Sequence, residues 1–181
     1  MIFLGELSAL TAATCWSGSS FVFSTAAERL GAIQLNISRM LIASILLLLT
    51  IFITRIGYQL SLHQVIYLML SGVVGLAFGD SFLYNAYQHI GARISMLIMA
   101  VSPIISAVLA FFFLNENLSY LGVLGIVIIV IGVGSVVLER SETSASKYKI
   151  SKIGIFYGLI GALGQAGGLI FAKVAFNNGE K

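Results

Sequence analysis

The sequence predicts an all-α polytopic membrane bundle, and three observations carry that prediction. First, only 9% of the residues are charged, 59% are hydrophobic, and the mean hydropathy is +1.02. A soluble domain carries about 25% charged residues, so this chain has too little polar surface for water. Second, its apolar residues fall into runs of the length needed to cross a hydrocarbon core, about 20 residues in a helix. Third, runs such as Ile45 to Phe52 are continuously apolar. A barrel strand would alternate over about ten residues, and an open sheet would leave edge amides unpaired in lipid.

Splitting the chain at its polar clusters gives six spans. The first runs roughly from Leu4 to Ala26 and closes at Glu28 and Arg29. The start, Met1 to Glu6, has no basic segment, so it reads as the beginning of a helix and not as a cleaved signal. The second span runs from Ile33 to Thr54, between Gly31 and Arg55, and is bulky and smooth (Leu46 to Leu49), which suits lipid contact. The third runs from Gln64 to Gln88 and ends at the stretch His89 to Arg93. The fourth runs from Ile94 to Leu114 and contains Pro103. A proline there removes one backbone bond, and Ser102 or Ser106 is expected to satisfy the freed carbonyl. The fifth runs from Leu118 to Leu138, with Glu116 expected to cap its start. A polar stretch, residues 140–152, precedes the sixth span, Ile153 to Phe176.

Small residues recur at a spacing that lets helices approach closely in lipid, at Gly75 and Gly79, Gly154 and Gly158, and Gly164 and Gly168. Shifting the chain by about 149 residues lays the first span over the sixth, pairing Gly5 with Gly154, Leu10 with Leu159, Ala13 with Ala162, Gly18 with Gly167 and Ala26 with Ala175. The match begins directly after the polar stretch, as if a second five-helix unit were starting. An odd number of spans per unit would insert the second unit upside down, the inverted repeat of many transporters.

The composition also excludes functions. The net charge of +3 is scattered and forms no basic helix face, so no nucleic acid is expected. Cys15 is the only cysteine, which rules out an intrachain disulfide and a cysteine-cluster metal site. No nucleotide-binding loop, cofactor motif or metal-ligand set is present. An intramembrane aspartyl protease needs two aspartates, and Asp80 is the only one. A serine protease of the membrane needs a histidine at depth, and His63 and His89 sit at span ends. The chain is therefore read as a non-enzyme with no catalytic residue.

The order of motifs resembles the EamA-type transporters of the drug/metabolite transporter superfamily. The residues that carry the resemblance are Cys15 to Phe21 in the first span, Asn36 to Arg39 in the second, and Gly79 to Ala86 with His89 to Ala92 in the third. Ser102 and Pro103 in the fourth span, Leu114 to Leu118 after it, and Gly122, Gly125 and Gly132 in the fifth complete the set. The resemblance implies a cell-membrane protein of ten helices, two five-helix repeats around a cavity, that moves small organic metabolites such as amino acids or drugs, with export the expected direction. On that pattern residues 1–139 are a first repeat, 140–152 a linker and 153–181 the start of a second, inverted repeat. The chain then reads as a fragment of a longer transporter; a complete chain would have to pair as a homodimer, and an inactive or non-transporting membrane protein is the alternative. The resemblance implies a cytoplasmic N-terminus. The count of Lys and Arg between spans implies the opposite, with Arg29, Arg93, Arg140, Lys147, Lys149 and Lys152 on the far side.

Two charges lie well away from the ends of their spans. Arg39 is about six residues from one end of the second span and Asp80 about eight from the matching end of the third, so at about 1.5 Å per residue their depths differ by only a few ångströms. They are expected to pair or to line the cavity together, since a lone intramembrane charge is costly. The competing readings are an Arg39 that snorkels to headgroups and an Asp80 wetted through Gly79 and Ser81. Trp16, Tyr84, Asn85 and Tyr87 are further candidate cavity residues, because aromatic rings with polar tips suit an amphipathic solute.

Overall fold

The computed structural model describes residues 3–55, 60–116, 119–140 and 151–177. Among them every regular element is helical: α1 (Phe3–Leu30), α2 (Ala32–Thr54), α3 (Leu62–Ser71), a wide-turn segment (Gly72–Gly79), α4 (Asp80–Met99), α5 (Ser102–Leu114), α6 (Tyr120–Arg140) and α7 (Lys152–Asn177). Three stretches of the described residues are long and apolar enough to cross a membrane: Ala32–Thr54, Leu62–Met99 and Lys152–Asn177. The polar linker expected at 140–152 lies for the most part outside the described residues, as does the terminal run 178–181, while Glu139 and Arg140 still belong to α6.

Local chemistry explains where the helices start and stop. Ser61 opens α3 with a capping box: its hydroxyl accepts from the Gln64 amide at 3.3 Å, and the Gln64 side chain accepts from the Ser61 amide at 2.9 Å. Arg55 and Asn115 close α2 and α5 in the left-handed conformation. The third and fourth spans meet at Gly91, which has φ 74° and ψ 167° inside α4. Side chains rarely adopt that backbone, so the chain reverses there, and the Ser95 hydroxyl donates to the Gly91 carbonyl at 2.8 Å.

Two expectations need correcting. Pro103 does not kink a continuous helix. The chain breaks before it, at Ala100 and Val101, and Pro103 stands in the first turn of α5, where a missing N–H costs no helix bond. Ser102 and Ser106 satisfy no carbonyl: their buried hydroxyls have no partner among the described residues. Glu116 does not cap the next helix: Ser119 does, accepting from the Gly122 amide at 3.1 Å. Glu116 instead pairs with Lys173 of α7, Oε2 to Nζ 2.5 Å.

The core is built around α4 and α7, which pack most extensively, with the wide-turn segment, α3 and α5 also laid against α7. Glycines make this approach possible. A Cβ added at Gly164 would stand 2.7 Å from the Gly79 Cα, and one at Gly168 would stand 2.7 Å from the Gly75 Cα. The two small-residue pairs noted separately in the sequence therefore face one another, backbone on backbone. Gly154 and Gly158 take Ile90 and Ile98 side chains instead. The outer half of α2, Leu41 to Thr54, is exposed throughout, as its smooth apolar run suggests. Thr11, Thr14 and Thr50 on exposed helix faces turn their hydroxyls onto the carbonyl four residues back, which lets them face lipid without an unpaired donor.

The bundle has two ends. One holds the α1–α2 turn at Gly31 and the reversal at Gly91. The other holds the start of α3, the end of α5 at Glu116 and the end of α7.

Candidate functional site

Between Gly72 and Gly79 the backbone widens to bonds that skip five residues, and the Asp80 amide donates to the Gly75 carbonyl. Such wide turns are rare and favour functional sites. Widening loosens carbonyls from the helical ladder, and α2 supplies a donor for them. The buried Asn36 amide, Nδ2, donates to the carbonyls of Leu76 at 3.0 Å and Ala77 at 3.1 Å and to the Ser81 hydroxyl at 2.9 Å. Ser81 in turn donates to the Ala77 carbonyl at 2.6 Å. In the sequence Asn36 stands out only as the first residue of the Asn36 to Arg39 motif; its position three residues before Arg39, on the same helix face, was the signal.

The wide turn delivers Asp80 to α2. Asp80 is only 4% exposed, and its carboxylate forms an ion pair with the Arg39 guanidinium. The same Nη2 reaches Asn36 Oδ1 at 3.4 Å. The Arg39 guanidinium lies 5.6 Å from the centre of the Tyr84 ring, within range of attraction to its π face. Tyr84 meets Phe23 of α1 edge-on at 5.8 Å and Tyr87 at 5.7 Å, and the Tyr87 hydroxyl donates to the Met96 sulfur at 3.1 Å. Arg39 Nε is buried without a partner among the described residues. A buried pair of this kind depends on both members, because either charge alone is expensive in a low dielectric.

Asn85, one turn beyond Ser81, donates to the Ser81 carbonyl at 2.8 Å and also lines a cleft of about 710 Å³ at the Gly31 end. Gln34, Ser38 and Gln88 line the same cleft, and Gln88 donates to the Ala27 carbonyl at 2.6 Å, tying α4 to α1. Polar groups thus lead from the cleft to the ion pair. Of the residues singled out in the sequence, Arg39, Asp80, Tyr84, Tyr87 and Asn85 come together here. Trp16 does not: it is 45% exposed on the part of α1 that stands away from the bundle. His63 and His89 stay at helix ends, the first tilted against Tyr67 and the second stacked on Tyr157.

Residues 3–138 match the model of the EamA-like transporter family. The chain belongs to that family. The match runs from the first residue of α1 almost to the end of α6, which makes the protein an integral multi-pass membrane protein of the drug/metabolite transporter superfamily, a group of transporters and not of enzymes. No curated protein and no solved structure matches the chain. In this EamA-family chain the Arg39–Asp80 pair therefore sits in the matched region, on helices the family supplies.

Proposed function

We propose that the protein works in the cell membrane as a secondary transporter, exporting small organic metabolites such as amino acids or drugs by alternating access, and that Arg39 and Asp80 line its solute route. The observation that carries this reading is the ion pair itself. Arg39 lies seven residues into α2, about 10 Å from its end at 1.5 Å per residue, so the pair stands well inside an apolar core about 30 Å thick. A charge at such depth costs about 2.5–3.5 kcal/mol on insertion scales and faces an interior, not lipid. The aromatic rings of Tyr84 and Tyr87, with their hydroxyls, supply the amphipathic wall, and the cleft at the Gly31 end supplies a mouth.

Helix direction supports an inverted repeat. The C-terminal end of α1 touches α4 at Gln88, through the Ala27 carbonyl, and the N-terminal end of α7 touches α4 at His89 and Ile90, beside Gly154. The two helices that match at an offset of about 149 residues thus flank α4 and run in opposite directions, the relation expected of corresponding helices in oppositely inserted units. A partner unit, either more of the same chain or a second copy, would complete the cavity.

The reading is tested by transport in proteoliposomes, with ethidium and a set of radiolabelled amino acids as probes. Arg39→Asp and Asp80→Arg should each abolish transport of whichever probe the parent moves, and the double exchange should recover part of it. Single variants that transport normally would remove the pair from the route.

A further inference from the structure

A second cavity, of about 280 Å³, lies between α5 and α7 at the Glu116 end, far along the bundle from the cleft beside Asn85. Its walls are Ala107, Ala110, Leu169 and Ile170, and its rim carries Glu116 and Lys173. These two residues, 57 positions apart, close the rim with their ion pair at 2.5 Å. Ser106 lines the cavity, and its buried hydroxyl has no partner among the described residues. It lies eight residues inside the end of α5, about 12 Å deep. One helical turn deeper and on the same face stands Ser102, 4% exposed, with an equally unpartnered hydroxyl. An unpartnered hydroxyl in an apolar interior is costly. Two of them on one face, the outer beside a cavity, lack the protein partner a buried hydroxyl needs, which water held in the cavity would supply.

We propose that this cleft is a water-filled vestibule on the opposite side of the membrane from the Asn85 cleft, and that the Glu116–Lys173 pair is the latch that narrows its mouth. Glu116 belongs to the turn after α5 and Lys173 to the last part of α7, so the latch joins the matched repeat to the helix that follows it. Both side chains are close to half exposed, 41% and 45%, which makes the pair weak enough to break and reform within a transport cycle. The inference takes its purpose from the transporter reading above, but the site and its closure stand on this geometry.

The experiment needs no solute, so its result is separate from the transport result. Ser106→Cys is placed in a Cys15→Ser background, and the protein in lipid nanodiscs is treated with a charged, membrane-impermeant methanethiosulfonate. Exposed Ser61→Cys serves as the rate reference and Lys173→Arg as the latch-preserving control. The vestibule predicts slow but complete labelling of the Ser106→Cys protein. Glu116→Gln and Lys173→Gln should each speed it about two- to five-fold, the range an exposed ion pair supports. The exchanged pair, Glu116→Lys with Lys173→Glu, should return the rate to that of the intact pair. No labelling in any variant that elutes as a folded monodisperse species would overturn the vestibule. Equal rates in all variants, or an exchanged pair that labels as fast as the single variants, would overturn the latch.

Discussion

At the residue scale the decisive contact is Arg39 with Asp80. Structural and functional roles for this pair separate under substitution. Removing one partner strands the other, so Asp80→Ala should lower stability by about 3–5 kcal/mol, read as a fall in melting temperature in detergent. Replacing both, Arg39→Met with Asp80→Leu, removes the stranded charge, and stability should return to near that of the parent, since buried pairs often give way to apolar residues at no cost. Transport should remain absent in the double variant. Asn36 has a different task, holding the wide turn that aims Asp80. Asn36→Asp keeps the shape and loses the donor; with the Leu76 and Ala77 carbonyls left unmet it should destabilise the fold by about 1–3 kcal/mol, measured in the same thermal assay. Asp80 and Arg39 stood out in the sequence because each is a charge in an apolar run. Asn36 did not, because its partners are backbone carbonyls freed by a local widening that no sequence period announces.

At the element scale the bundle depends on glycines where helices touch and where the backbone takes a positive φ, and is indifferent to them at open positions such as Gly18 and Gly125. Gly164→Ala would drive a methyl to within 2.7 Å of the Gly79 backbone, where no flexible side chain can yield, and should cost about 1–3 kcal/mol. Gly18→Ala and Gly125→Ala, with nothing within 4 Å of the added carbon, should be neutral or slightly stabilising. Gly91→Ala places a side chain at φ 74° and should cost about 1–3 kcal/mol through strain. Thermal melting of the four variants in one detergent checks the ranking. The small-residue pairs were legible in the sequence as motifs; that Gly75 and Gly79 meet Gly164 and Gly168 was not, because spacing along one helix says nothing about which helix it faces. The reversal at Gly91 was legible as a polar interruption, His89 to Arg93. The widened turn before Asp80 was hidden inside an unbroken apolar run. Pro103 misled because a proline reads the same in sequence whether it bends a helix or begins one.

At the scale of the whole molecule, membrane class and family were legible from composition and from the order of loose motifs, because a chain this apolar has few architectures open to it. The ends of the bundle were less so. Lys173 is a single cation in the sixth span and gave no sign that its partner was Glu116, a residue read instead as a cap. The proposed solute route requires that the apolar bundle enclose a wet interior in which Arg39 and Asp80 stand. Reactivity of cysteines at those two positions toward a charged, water-borne thiol reagent tests it most directly, again with Cys15 replaced. Arg39→Cys and Asp80→Cys should both react in the folded protein, and a solute that the protein transports should slow the reaction. If both stay inert while the protein remains folded, the pair faces no water and the claim is wrong.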